Sequence, residues 1–173
     1  MDFAQTLQEM QQNVDNINGL IGESGPLAIQ KIYSTHHIIF LSCRAPGRSI
    51  ILGLGRGGGY EGLWISPQMP LSENRTKDRY LEYLRKNVKG RTLTELKLVG
   101  KDRILEFYIR KKNEEALFSI FFLGRKSYFS YQKRMEGGRV QFFSGHHNKN
   151  QEVVSSDFIE SFDDISRNEM TTK

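Results

Sequence analysis

Several features that restrict what a protein can do are scarce or missing in this 173-residue sequence. The single cysteine, Cys43, excludes a disulfide framework and a cysteine-rich zinc site, and it favours a reducing compartment. The N-terminus has no basic stretch followed by an apolar run, so it predicts no signal peptide. No apolar run approaches the roughly 18 uncharged residues that a membrane span requires. We therefore expect a cytoplasmic protein with no membrane partner.

The charge is distributed unevenly along the chain. The net charge is only +5, yet residues 75–112 carry 13 Lys and Arg against 5 Asp and Glu. We divide the chain into a domain at 1–150 and an acidic tail at 151–173, in which residues 156–167 have the pattern of a short helix. A basic middle beside acidic ends points to a polyanionic partner.

The hydrophobic spacing predicts an α+β domain. An apolar stripe from Phe3 to Ile21 indicates an amphipathic helix with Asp2 as its N-cap, which we expect to pack across a sheet. A second helix spans 76–89 and ends at Gly90. The predicted strands are 27–33, 38–43, 48–54, 92–99, 103–110, 117–123, 126–132 and 139–143. Their short connections imply antiparallel hairpins, and hence a largely antiparallel sheet or sandwich with flanking helices.

The glycine-rich run from Gly55 to Gly62 satisfies the pattern G-x-G-x-x-G. A dinucleotide site needs a helix directly after the glycines, so that the helix N-terminus meets the pyrophosphate. Here Leu63-Trp64-Ile65 follows, which is typical of a strand, and a Walker Lys-Ser/Thr pair is missing. We predict a hairpin loop, on which Arg56 could still contact a phosphate backbone.

Two histidine pairs and the cysteine are the remaining candidates for metal or nucleophilic chemistry. Adjacent histidines on a strand point to opposite faces, so the pairs His36-His37 and His146-His147 each offer one ligand to any one site. We predict no metal site, no cofactor and no catalytic residue. Cys43 lies in an apolar strand and is expected to be a core residue.

Arg103 is the most informative residue of the basic segment. On a strand over 103–110 it would share a face with Leu105 and Phe107, so its guanidinium would lie at the rim of the core, pair with an acid or reach a ligand. Its planar donors suit a phosphate or a base edge. The last turn of the second predicted helix adds Arg85 and Lys86, which also favour a helix C-terminus for electrostatic reasons.

Four motifs occur in order along about residues 5–133: Ile29-Gln30-Lys31-Ile32-Tyr33, Leu84-Arg85-Lys86-x-Val88-x-Gly90, Gly100-x-Asp102-Arg103-Ile104 and Leu123-Gly124-Arg125-Lys126-Ser127. Together they resemble the N-terminal domain of the NFACT family, which comprises bacterial RqcH, eukaryotic NEMF-type proteins and FbpA-like fibronectin-binding proteins. The resemblance implies a β-sandwich with flanking helices, similar to the N-terminal domain of formamidopyrimidine-DNA glycosylases.

The resemblance also implies a function. Members of the family act in ribosome-associated quality control, where they bind tRNA and the RNA of an obstructed large ribosomal subunit. The family's Asp-Arg pair is tied to tRNA recognition and matches Asp102 and Arg103. We therefore expect a non-enzymatic RNA-binding module, with tRNA and large-subunit RNA as partners. The expected RNA-binding residues are Asp102, Arg103, Arg85, Lys86, Arg125 and Lys126.

Two other functions remain open. The family's fibronectin-binding label suggests a surface adhesin, which the lack of an export signal disfavours. The shared fold suggests a relative of the DNA glycosylases, but Asp2-Phe3 occupies the place of their N-terminal proline nucleophile and adjacent glutamate, so this relative would be inactive. Tyr128 departs from the asparagine usual in the family, and the family's downstream domains are absent. We expect an N-terminal piece of a larger protein or a stand-alone relative.

Overall fold

A computed structural model of the chain describes residues 4–56, 59–99, 103–123, 126–134, 140–146 and 149–154, with residues 123, 126–128 and 134 and the last two ranges as backbone. These residues form two α-helices and ten strands. The helices are α1 (Leu7–Ser24) and α2 (Arg79–Asn87), and a 3-10 turn (Ser72–Asn74) precedes α2. The strands are β1 (Leu27–Ser34), β2 (Ile38–Ala45), β3 (Arg48–Gly55), β4 (Leu63–Ser66), β5 (Thr92–Val99), β6 (Ile104–Lys111), β7 (Glu114–Leu123), β8 (Lys126–Arg134), β9 (Val140–His146) and β10 (Lys149–Val154).

The strands form one antiparallel sheet with two unequal halves. Its order is β10-β9-β8-β7-β6-β5-β1-β2-β3-β4, so strands adjacent in the sheet are consecutive in sequence except at the joint between β5 and β1. At that joint only two residue pairs are formed, Leu27 with Leu93 and Ala28 with Thr92. Beyond Ala28, the edge of β1 that faces away from β2 has no strand partner in the described part of the chain.

Helix α1 begins later than the sequence suggested. Thr6 is the N-cap: its hydroxyl accepts from the Glu9 amide, and the Glu9 carboxylate accepts from the Thr6 amide. This capping box satisfies two of the free donors at the helix start. Asp2 is therefore not the cap, and it lies outside the described residues. The predicted apolar stripe is confirmed, because Met10 and Val14 are buried.

Two asparagines of α1 bind backbone groups in the two halves of the sheet. The Asn13 amide donates to the Leu63 carbonyl of β4 at 2.6 Å. The Asn18 side chain donates to the Leu96 carbonyl of β5 at 2.7 Å and accepts from the Leu96 amide at 2.9 Å. The helix packs across the sheet, as its spacing predicted, and connects the two halves.

A single hydrophobic core includes residues from both halves of the sheet and from both helices. Alternation along β6 buries Leu105 and Phe107, and Phe107 contacts Phe118 with the ring centroids 5.7 Å apart. The α+β class, the largely antiparallel strands and the flanking helices are thus confirmed.

The C-terminal boundary stays a prediction. The last strand runs from Lys149 to Val154 and pairs with β9, so it crosses the division that we placed at residue 150. The helix expected at 156–167 lies outside the described residues, as does most of the acidic tail.

Candidate nucleic-acid interface

Helix α2 and its flanking residues cover the edge of β1 that no strand pairs. Unpaired backbone groups on a strand edge need hydrogen-bond partners. The position of the helix is therefore set by the donors that it and its flanking residues place against this edge of β1. Three donors bind β1 carbonyl oxygens: Gly90 N–H binds Ile29 (2.8 Å), Arg85 Nε–H binds Ile32 (2.8 Å) and Thr76 N–H binds Ser34 (2.7 Å). The helix is therefore held along β1 at three points.

The N-terminus of α2 is fixed by a buried ion pair. Asp78 is the N-cap, and its Oδ1 accepts from the Leu81 amide at 2.8 Å. Its Oδ2 pairs with Arg56, whose guanidinium also donates to Ser34 Oγ at 2.6 Å and lies 5.4 Å from the Tyr80 ring centroid. The Arg56 side chain is only 5% exposed. The expectation that Arg56 contacts a phosphate backbone is wrong, because its guanidinium is buried and forms an ion pair with Asp78.

The C-terminal end of α2 is fixed by a second buried arginine. Arg91 Nε–H donates to the Asn87 carbonyl at 2.6 Å, and Nη2 donates to Glu114 at 3.3 Å. Lys133 also pairs with Glu114. Burial and the nearby Arg91 charge lower the pKa of Lys133. Burial raises the pKa of Tyr131, whose hydroxyl donates to the Asn87 carbonyl at 3.4 Å.

The surface formed by this fixed helix and the residues that flank it is basic. We call it the basic α2 face, and its cations are Arg75, Lys77, Arg79, Arg85, Lys86 and Lys89. All are exposed except Arg85, which is half-buried. Glu82 is the exposed acid within α2. Among the residues that the structure describes, no carboxylate pairs with any of the six cations. Such a surface attracts anions at a distance and has donors left to bind them.

Arg85 and Lys86, the two predicted site residues on α2, have different surroundings. Lys86 is exposed. Arg85 is held by its bond to the Ile32 carbonyl, and its guanidinium carbon lies 5.2 Å from the Tyr33 ring centroid. Sequence reasoning missed Tyr33 and Arg75 as members of this site. The basic charge before the helix was the available signal for Arg75, but its contact with β1 depends on the tertiary fold.

Arg103 lies in a turn, and the predicted strand position is wrong. The strand begins at Ile104, and Arg103 has a left-handed backbone (φ 51°). This conformation is uncommon for a residue other than glycine. The Arg103 carbonyl accepts from the Phe122 amide at 3.1 Å, and the residue is half-buried. The argument from alternating faces therefore does not apply to it.

Arg103 and the backbone of Lys126 lie at one end of the sheet. Ile104 pairs with Phe121, and Leu123 pairs with Lys126, so the turn that contains Arg103 and the β7–β8 turn lie at the same end. The backbone of Lys126 is there, whereas Asp102 and Arg125 lie outside the described residues. Strand β1 runs antiparallel to β5 from Ala28 opposite Thr92, so Tyr33, which Arg85 contacts, lies away from the Val99 end of β5 where these turns are.

The glycine run closes a hairpin between β3 and β4, as predicted. Gly55 N–H donates to the Gly62 carbonyl at 3.0 Å, and a Cβ at Gly55 would overlap the Tyr60 carbonyl. The Tyr60 ring stacks on His37, with the centroids 4.1 Å apart. A strand, β4, follows the run where a nucleotide site requires a helix.

The described residues contain no cluster of histidine, cysteine and acidic side chains that could hold a metal ion. Residues His36 and His37 are exposed in a turn, and His147 lies outside the described part of the chain. Cys43 is buried, as predicted, and burial raises its pKa to about 12. No helix in the described part of the chain is long and apolar enough to cross a membrane.

Comparison with known proteins places the chain in a structural class. No family model matches the sequence, and no curated protein matches it significantly. Solved structures do match. The N-terminal domain of the fibronectin-binding protein PavA from Streptococcus pneumoniae has a TM-score of 0.58 at 19% identity, over 75% of this chain and 51% of that chain.

Two further structures are similar to this chain. The N-terminal part of the fibronectin/fibrinogen-binding protein of Streptococcus suis has a TM-score of 0.56 at 19% identity, over 76% of this chain and 50% of that chain. The fibrinogen-binding protein of Staphylococcus aureus has a TM-score of 0.53 at 15% identity, over 76% of this chain and 47% of that chain. At such identities the likeness establishes the fold, and the chain spans about half the length of these structures.

Proposed function

We propose that this domain is a non-enzymatic RNA-binding module and that the basic α2 face is its principal contact with RNA. One observation carries the proposal: six cations lie in or directly beside α2 without a carboxylate partner among the described residues. A phosphate backbone supplies negative charges at regular spacing, and release of its counterions favours binding to such a face.

The rigid placement of α2 supports this function. Its N-terminus is fixed through Asp78 and its C-terminal end through Arg91. A face held at both ends loses little conformational freedom on binding, so more of the interaction energy appears as affinity. The turn that contains Arg103 offers a second contact at the end of the sheet, and this contact is part of the proposal.

The finer expectation concerns the RNA. The resemblance to the NFACT family favours tRNA and the RNA of an obstructed large ribosomal subunit, through Asp102 and Arg103 together with Arg125 and Lys126. Co-sedimentation with large subunits that carry peptidyl-tRNA, compared with vacant subunits, tests this expectation. Equal recovery with both would contradict a role in ribosome-associated quality control and leave general RNA binding intact.

A salt titration tests the main proposal. Fluorescence anisotropy with labelled tRNA measures Kd between 50 and 200 mM salt. If about six phosphates are contacted, the affinity decreases by about 10³-fold over this range. The matched control is Arg44→Gln, which removes one exposed charge from the β2–β3 hairpin. Binding of tRNA that does not depend on salt, or no binding at all, contradicts the proposal.

The comparisons favour a second candidate function, binding of fibronectin or fibrinogen. All three similar structures are of proteins named for binding one or both of these, so the comparisons support this function more directly than they support RNA binding. The test is capture of the nuclease-treated domain on immobilised fibronectin and fibrinogen, with albumin as the control surface. Nuclease treatment matters because RNA on the basic face could bridge to other proteins. Saturable capture after this treatment would establish the second function, and its loss on treatment would attribute the capture to RNA.

A further inference from the structure

Two guanidinium groups contact the same tyrosine ring at the edge of the basic α2 face. The guanidinium carbon of Arg75 lies 3.9 Å from the ring centroid of Tyr33, and that of Arg85 lies 5.2 Å from it. Since both arginines contact one ring, they are neighbours in space although they are ten positions apart in sequence. Tyr33 itself is half-buried on β1. We call these three residues the Tyr33 clamp.

Both guanidinium groups are oriented by their Nε donors. Arg75 Nε–H binds the Pro70 carbonyl at 3.0 Å, and Arg85 Nε–H binds the Ile32 carbonyl at 2.8 Å. The ring contact adds a second constraint on the position of each group, because a cation is attracted to an aromatic face within about 6 Å of its centroid. The hydrogen bonds that the described part of the chain gives these arginines use Nε alone, so their Nη donors have no partner there. Neither charge is neutralised by a described carboxylate, although the two like charges repel each other.

We propose that the Tyr33 clamp binds one phosphate group of an RNA backbone through the Nη donors of Arg75 and Arg85. This inference rests on the proposed RNA-binding function and specifies its anchoring contact. Guanidinium groups bind phosphate oxygens in pairs, and prior orientation reduces the entropic cost of binding. A single carboxylate would also fit the donors, but the cations continue along α2 to Lys86 and Lys89. That continuation fits a polymer with a charge on every unit.

The Tyr33 clamp differs from a merely structural pair of arginines in its dependence on guanidinium geometry. Arg75→Gln and Arg85→Gln are each expected to weaken tRNA binding by about tenfold, the magnitude of one lost charge-assisted contact. Arg75→Lys and Arg85→Lys keep the charge and lose the paired, planar donors of the guanidinium. Compared with the Gln variants, they are therefore expected to regain only a minor part of the affinity for tRNA. Each Gln variant is also expected to reduce the slope of log K against log salt by about one phosphate contact.

The experiment measures Kd for tRNA by anisotropy at three salt concentrations, with Arg44→Gln as the control for loss of one exposed charge. Far-UV circular dichroism and the unfolding midpoint report whether each variant is folded. Because Arg85 helps to hold α2, the variant Tyr33→Leu is a second route: it keeps both charges and removes the ring that orients them. It is expected to weaken binding by several-fold.

The outcomes separate this inference from the function on which it rests. If the wild type binds tRNA and the Gln variants bind like Arg44→Gln, the clamp is not a phosphate site and the proposed function stands. If the Lys variants bind tRNA with full affinity, the positive charge alone is sufficient and the proposed phosphate site formed by the two guanidinium groups is refuted. If the wild type binds no RNA, both proposals fail. Should the same variants, treated with nuclease, lose capture on immobilised fibronectin and keep tRNA affinity, the ligand is a protein and the RNA assignment is overturned.

Discussion

The ion pair between Arg56 and Asp78 gives the sharpest prediction, because one carboxylate has two tasks. It caps α2 through the Leu81 amide and neutralises an arginine whose side chain is 5% exposed. Asn is as good an N-cap as Asp, so Asp78→Asn retains the cap and removes only the charge. An unpaired buried charge costs about 3–5 kcal/mol. Since the Asp78 side chain is 35% exposed, we take the lower end, about 3 kcal/mol.

The neutral partner substitution completes a double-mutant cycle. Arg56→Met removes the buried charge and leaves Asp78 with access to solvent, so the expected cost is about 1–2 kcal/mol for the lost hydrogen bonds and packing. The double variant then contains neither charge. Replacing a buried ion pair by apolar or neutral groups is often near neutral, so we expect the double variant to be more stable than Asp78→Asn alone by about 1–2 kcal/mol.

Urea unfolding followed by fluorescence of the single tryptophan, Trp64, measures each free energy of unfolding. Comparison of the midpoints is valid if the slope m is the same in all four proteins. Two results would refute the reasoning: a cost below about 1 kcal/mol for Asp78→Asn, or a double variant whose cost equals the sum of the two single costs. Either would mean that Arg56 finds water or another partner once Asp78 is neutral.

Three further predictions concern single positions. Burial raises the Cys43 pKa from 9.0 to about 12. The folded thiol is therefore expected to resist iodoacetamide at pH 8.5, whereas the unfolded thiol reacts. The free energy of unfolding is expected to decrease above about pH 9, where only the unfolded thiol ionises. Lys112 has a φ of 56° in the β6–β7 turn, so Lys112→Gly is expected to stabilise by about 0.5–1 kcal/mol in urea unfolding, and no gain would contradict a strained turn. Gly55→Ala places a Cβ on the Tyr60 carbonyl and is expected to destabilise by about 2 kcal/mol or more, whereas Gly19→Ala, which meets nothing within 4 Å, is the control.

Local sequence patterns predicted most of the secondary structure, because buried apolar residues recur at the helical period along α1 and at every second position along strands such as β6. The stripe on α1 and the alternation on β6 were both correct, since residues such as Met10 and Phe107 face one core. The start of α1 was missed although the sequence has the signal: Thr6 and Glu9 form the Thr-x-x-Glu pattern of a capping box. Strand β10 was missed because four of its six residues are polar.

The candidate site was only partly predictable, because it depends on contacts between distant segments. The charge of residues 75–112 identified the basic region. The sequence could not show that Arg56 forms an ion pair with Asp78, or that Arg75 lies over Tyr33. Both contacts depend on where α2 and the segment before it pack against β1. The strand start was misjudged by one residue at Arg103, which has a left-handed backbone in the preceding turn, and alternation between faces applies only within the strand.

The cover that α2 forms over β1 has a consequence for the solution behaviour of the protein. If α2 detaches, the carbonyl groups of Ile29 and Ser34 in β1 lose the donors that Gly90 and Thr76 supply. A bare strand edge in the middle of a sheet is a template for pairing with another chain. Partial unfolding at this one helix would therefore lead to self-association before the rest of the core melts. A ligand that holds α2 in place would delay aggregation as well as raise the unfolding midpoint, since it binds only the closed form.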